Sequence, residues 1–126
     1  MKKVIKQVLG IDVAQKELVV CLGRMLEGLV IELYARRTFA NTVKGFEAME
    51  QWVSKLTDHV LPVTYVMEAT GVYHEPLAYF LRDHGRDVSI VMPNKISNYM
   101  RTLEIKTVTD KTCADAIARF GLEKEP

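Results

Sequence analysis

Hydrophobic and polar positions along the chain follow two periods. Residues 4–13 read as a first strand, and Val8–Ala14 is a run of β-branched and apolar residues around Asp12, as in a buried strand. Glu17–Leu22 predicts a second strand and Leu29–Phe39 a third, in which Val30, Glu32, Tyr34 and Arg36 alternate with Leu29, Ile31 and Leu33. The links, Ala14-Gln15-Lys16 and residues 23–28, are short enough for hairpins, so strands one to three are expected as an antiparallel meander. The period then changes. Asn41 reads as a helix N-cap, followed by Phe46, Met49, Trp52, Val53 and Leu56 at steps of three and four, with the helix ending near residues 57–59. Pro62 opens a fourth strand, Val63–Met67, which runs into Glu68. Gly71 breaks it, and a second helix carrying Leu77, Ala78, Phe80 and Leu81 runs to about His84, with Gly85 as its stop. Val88–Met92 predicts a fifth strand, closed by Pro93-Asn94, and residues 95–122 read as helical in two pieces, the second being Lys111–Phe120. The order β-β-β-α-β-α-β-α calls for a mixed five-stranded sheet with helices on its faces. A single domain is expected over residues 1–122, with 123–126 as a tail.

Two strands carry a carboxylate where an apolar residue would be usual. Asp12 sits within the first run, and Glu68 follows the fourth strand and precedes Ala69-Thr70-Gly71. A buried charge needs a partner or a metal. If strands one and four are adjacent and parallel, both acids lie at the carboxyl end of the sheet, where open α/β sheets place their sites. Asp110, just before the last helix, is a third candidate. Converging carboxylates raise one another's pKa unless cations neutralise them, and oxygen-only ligation suits Mg²⁺ or Mn²⁺. Two such ions about 4 Å apart serve phosphodiester chemistry. Each acid also has a plainer reading: Asp12 as a strand end, Glu68 as a partner of Arg82 or Lys95, and Asp110 as an N-cap.

Composition narrows the partners less than the acids do. The net charge of +1 gives no global basic field. Positive residues do collect in the second half, at Arg82, Arg86, Lys95, Arg101, Lys106 and Lys111. Together with Tyr73, His74, Asn94, Asn98 and Tyr99 they make candidate contacts to a nucleic-acid backbone. Cys21 and Cys113 lie far apart with no CxxC or Cys/His cluster, which fits reduced thiols better than zinc or a disulfide framework. The apolar run at the start is broken by Lys6 and Gln7, so no signal peptide is read, no membrane partner is expected, and the expected compartment is the cytoplasm. No P-loop, GxGxxG or Ser-His-Asp set is present.

Three blocks carry a resemblance: Gly10-Ile11-Asp12-Val13-Ala14, Met67-Glu68-Ala69-Thr70-Gly71-Val72-Tyr73 and Lys106-Thr107-Val108-Thr109-Asp110-Lys111. They resemble the blocks of the DEDD-type insertion-sequence transposases (the IS-one-ten family), and the likeness covers essentially the whole chain. It implies a RuvC-like, ribonuclease-H-like α/β domain, the catalytic N-terminal part of a longer recombinase, with Asp12, Glu68 and Asp110 as its first three acids. It further implies DNA as substrate, two Mg²⁺ or Mn²⁺ ions, a structured guide RNA, a C-terminal domain carrying a serine, a homo-oligomer, and little activity for this domain alone. The family pattern T-D-x-x-D-A places a fourth acid three residues after Asp110, where this chain has Cys113; the nearest acid is Asp115. A step of three keeps two side chains on one helix face, whereas a step of five turns about 140° away. A thiol is a poor Mg²⁺ ligand. The expectation is that Asp115 reaches in from a distorted first turn, or that the site works with three acids.

Two other classes compete. An actin-like or sugar-kinase-like ATPase also opens with an Asp on strand one, but Ala14-Gln15-Lys16 lacks the glycine-rich phosphate turn that it needs. A metal-free assembly module that grips nucleic acid and dimerises would be consistent with Cys113.

Overall fold

The computed structural model describes residues 3–69, 71–102 and 110–124, with side chains for all of these except 100–102 and 110–113. The described residues form β1 (Val4–Val13), β2 (Glu17–Leu26), β3 (Val30–Ala40), α1 (Val43–Leu56), β4 (Val63–Glu68), α2 (Glu75–Asp83), β5 (Asp87–Val91), α3 (Pro93–Thr102) and α4 (Asp110–Glu123). The strands make one mixed sheet in the order β3-β2-β1-β4-β5. β1, β2 and β3 are the expected antiparallel meander, and β4 and β5 join β1 in parallel.

The alternation within β1 sorts two cores. Leu9, Ile11 and Val13 point to the face covered by α1 and α2, packing with Leu18, Phe46, Met49, Met67, Leu77 and Leu81. Val8 lies on the other face, with Cys21, Val66, Ile96, Ile117 and Leu122 beneath α3 and α4. A strand covered on both faces reads as a near-continuous apolar run and not as an alternation, as β1 does from Val8 to Ile11.

The exception among the described core residues is Gln7, which is buried although polar. Its Nε2 donates to the carbonyls of Asp58 (2.9 Å) and Leu61 (3.1 Å), and its Oε1 accepts from the Asp58 N–H at 2.8 Å. One amide thus satisfies three backbone groups of the loop between α1 and β4.

Three expected boundaries move. β2 continues through Gly23 to Leu26, and the hairpin turn falls at Gly28 and Leu29, both with positive φ. α1 is capped by Thr42, not by Asn41: the Thr42 hydroxyl accepts from the Gly45 N–H at 3.1 Å. Thr42→Ala is therefore expected to lower stability by about 1 kcal/mol, read as a lower urea midpoint at unchanged slope. α4 runs to Glu123, one residue into the stretch read as tail, and the Tyr99 hydroxyl donates to Glu123 at 2.7 Å.

Candidate functional site

Asp12 lies one residue from the end of β1 and Glu68 at the end of β4. The two strands are parallel neighbours, with Gly10 opposite Val66 and Ile11 opposite Met67. Continuing that register puts Asp12 beside Glu68. By the period of two, Asp12 shares the face of Val8 and Gly10, and Glu68 shares that of Val66. Both acids therefore belong to the α4 side of the sheet, at its carboxyl edge, and both are half-buried.

The position of α4 follows from four small residues, Gly10 on β1 and Ala114, Ala118 and Gly121 on the helix. A Cβ built on Gly10 would lie 2.3 Å from the Ala118 nitrogen and 2.6 Å from the Ala114 carbonyl oxygen. A Cβ on Gly121 would meet Val66 Cγ2 at 2.8 Å and Val8 Cγ1 at 3.0 Å. The helix thus rests directly on β1 and runs antiparallel to it, from above Gly10 back towards Val8. Asp110 precedes Ala114 by four residues, about one turn or 6 Å along the axis, and shares its stripe. Asp12 lies two residues beyond Gly10, about 7 Å along the strand. The two displacements match, so the start of α4 comes over Asp12 and Glu68. The side chain of Asp110 lies outside the described residues.

Asp115 is turned elsewhere. Both its oxygens accept from Arg36 on β3, with Nε at 2.8 and 3.1 Å and Nη2 at 2.9 Å. This hydrogen bonding holds the Arg36 guanidinium above its usual pKa. Gly10, Cys21 and Arg36 stand in one row across β1, β2 and β3. Asp115 therefore lies on the β3 flank of α4, whereas Glu68 belongs to β4 on the other side of β1. Position 113 falls on the opposite stripe, with Ile117 and Phe120, and Phe120 meets the Tyr99 ring edge-on at 5.5 Å. The side chain of Cys113 lies outside the described residues.

The expected nucleic-acid contacts divide. Tyr73 is exposed on the loop after β4, close to the acids in the chain. Lys95 and Asn98 are exposed on α3 and line a cleft with Tyr99, Phe120, Glu123 and Lys124. The α4 wall of that cleft is the last turns of the helix, away from the acids, whereas Lys95 follows Val91, the β5 partner of Glu68, by four residues. The side chains of Arg101 and Lys111, and all of Lys106, lie outside the described residues.

The donor set suits a hard cation in kind: two carboxylates at adjacent strand ends, under the start of a helix that begins with a third. Among the described residues no three His, Cys, Asp or Glu side chains gather as a metal site. No helix among them is long and apolar enough to cross a membrane.

A family model described as a transposase, the DEDD type of the IS-one-ten group, matches residues 9–126. The chain belongs to this transposase family. The pilin gene-inverting proteins of Moraxella bovis and Moraxella lacunata are each 32% identical to it over 121 residues. These matches take in 96% of this chain and 36% of either relative, so the chain spans about a third of their length. Among solved structures, the fowlpox virus Holliday junction resolvase superposes with a TM-score of 0.63 at 10% identity, over 93% of this chain and 97% of that one. RuvC of T. thermophilus, solved with a Holliday junction substrate, gives 0.61 at 11% identity over 90% and 91%. These likenesses establish the RuvC-like, ribonuclease-H-like fold that the three sequence blocks imply.

Asn41 is the residue near the site whose role escaped the sequence. It was expected as the cap of α1, but its Nδ2 donates to the carbonyls of Ala14 (2.8 Å) and Tyr73 (3.1 Å). Asn and Thr are both good caps, and the dipeptide Asn41-Thr42 gives no sign of which one the helix uses.

Proposed function

We propose that this transposase-family chain is the nuclease-type part of a DNA recombinase, in which Asp12 and Glu68, joined by Asp110, hold Mg²⁺ or Mn²⁺. The observation that carries this reading is the match between the register of β1 with β4 and the seat of α4 on Gly10. Together they bring the start of the last helix over two acids on neighbouring strands. A divalent cation held there would supply charge for phosphodiester cleavage or strand transfer. The chain's own part is to hold hard oxygen donors at a fixed edge and to keep water from the sheet beneath them. Asp115 stays with Arg36 in this reading, so the site works with three acids. Tyr73, at the same edge, faces the substrate; Lys95, Asn98, Arg101, Lys106 and Lys111 are the further nucleic-acid contacts of this reading. By the family resemblance the reading also takes in a C-terminal domain, a structured RNA and a second copy of the chain; of these, only the first has the greater length of the matched relatives beside it.

Calorimetric titration with Mn²⁺ tests the site. The wild-type domain is expected to bind, and Asp12→Asn to bind more than about a hundredfold more weakly, since loss of a mere neighbour of a ligand already costs 10–100-fold. A second reading, a nucleic-acid-binding and dimerising module with an incomplete metal site, has one observation in its favour: Asp115 is taken by Arg36. Failure of wild type and variant alike to bind Mn²⁺, with DNA or RNA binding intact, would select it.

A further inference from the structure

Asn41 joins three segments at the carboxyl edge of the sheet. Its backbone N–H donates to the Lys16 carbonyl at 3.0 Å, and its Nδ2 to the carbonyls of Ala14 and Tyr73. Both side-chain partners are acceptors, so the amide can be oriented only one way. Ala14 follows Asp12 by two residues in the turn that leaves β1, a turn closed by the Ala14 N–H on the Glu17 carbonyl at 2.9 Å. Tyr73 follows Glu68 by five residues, in the loop that leaves β4. Near its start that loop is tied sideways by the Ala69 N–H to the Val91 carbonyl of β5 at 3.0 Å.

The parallel ladder between β1 and β4 runs as far as Ile11 and Met67, one rung short of the acids. Beyond the acids the two chains part, one into a hairpin and the other into α2. Asn41 is the described side chain that bridges the two departing segments. We infer that Asn41 is a positioning residue, a clasp that sets the separation of the Asp12 and Glu68 strand ends and so shapes the cation site. The inference rests on the functional reading above. A side chain meant only to start α1 would not reach two loops that α1 does not contain, and Thr42 already supplies the cap.

Asn41→Ala removes both side-chain bonds and leaves the backbone bond and the Thr42 cap in place. The carbonyls that it uncovers lie at the surface, where water can reach them, so the variant folds. It is expected to bind Mn²⁺ about tenfold more weakly than wild type, no more than the lower end of what loss of a hydrogen bond made directly to a ligand costs, because Asn41 acts through the backbone that follows each acid. Amide exchange should quicken at residues 14–16 and 71–74. Thr42→Ala is the control: it weakens the same junction through the helix cap and is expected to leave Mn²⁺ affinity at the wild-type value. Binding by Asn41→Ala equal to wild type, while Asp12→Asn fails to bind, would overturn the clasp and leave the site standing. Equal loss in Asn41→Ala and Thr42→Ala would overturn it too, since stability alone would then explain the effect. No binding by wild type would overturn the functional reading and the clasp together.

Discussion

Gly10→Ala is expected to cost about 3 kcal/mol of stability, at the top of the usual range for overpacking, although Ala is ordinarily the better residue. The backbone at Gly10 is not in the positive-φ region, so the substitution brings no conformational strain and would gain about 0.4–1 kcal/mol through the unfolded chain. The loss comes from contact. The added methyl would lie 2.3 Å from the Ala118 nitrogen, 2.6 Å from the Ala114 oxygen and 2.7 Å from the Ala118 Cα. All three atoms are helix backbone, so no side chain can turn aside, and α4 must lift as a unit. Overpacking of this kind costs about 1–3 kcal/mol and occasionally more. Urea unfolding measures the loss. The same variant should weaken Mn²⁺ binding, because the start of α4 moves with the rest of the helix. A stability equal to that of wild type would mean that α4 does not rest on β1.

Gln7→Met should be almost as damaging, by an opposite route. Met has nearly the length of Gln and keeps the core filled, so little is lost in packing. It leaves the Asp58 N–H and the carbonyls of Asp58 and Leu61 without the partners they now have. Each uncompensated group costs about 1–3 kcal/mol when buried and less where water can enter. A total of about 3 kcal/mol is expected, together with faster exchange of the Asp58 amide. Mn²⁺ affinity should be spared, since residues 57–62 lie at the amino end of β4 and the acids at its carboxyl end.

Much of this was legible in the residues. The apolar run of β1 and the meander after it fixed the sheet's first half, and Asp12 stood out because a charge breaks a doubly covered strand. What escaped depended on contacts distant in sequence. Gly23 and Arg24 look like a turn, yet β2 passes through them. A Cβ at Gly23 would meet Leu33 Cδ2 at 2.8 Å and Leu122 Cδ1 at 2.9 Å, so the glycine serves packing. Helical spacing alone turns Asp115 well away from Asp110, but only the fold reveals Arg36 waiting on β3. Asn41 and Thr42 were equivalent on local grounds, and the loops that claim Asn41 lie 27 and 32 residues away.

The seat of α4 also has a kinetic side. Asp12 belongs to a meander whose strands are joined by tight links, the sort of structure that closes within microseconds. The helix that covers it packs chiefly on β1 and β2, roughly a hundred residues earlier in the chain, and contacts at that separation form slowly because a long loop must close first. The candidate site is therefore completed at the end of folding and is the first feature lost when the last helix detaches. A chain with its sheet intact and α4 undocked would resemble the native protein by its strand signal, yet would lack the candidate site.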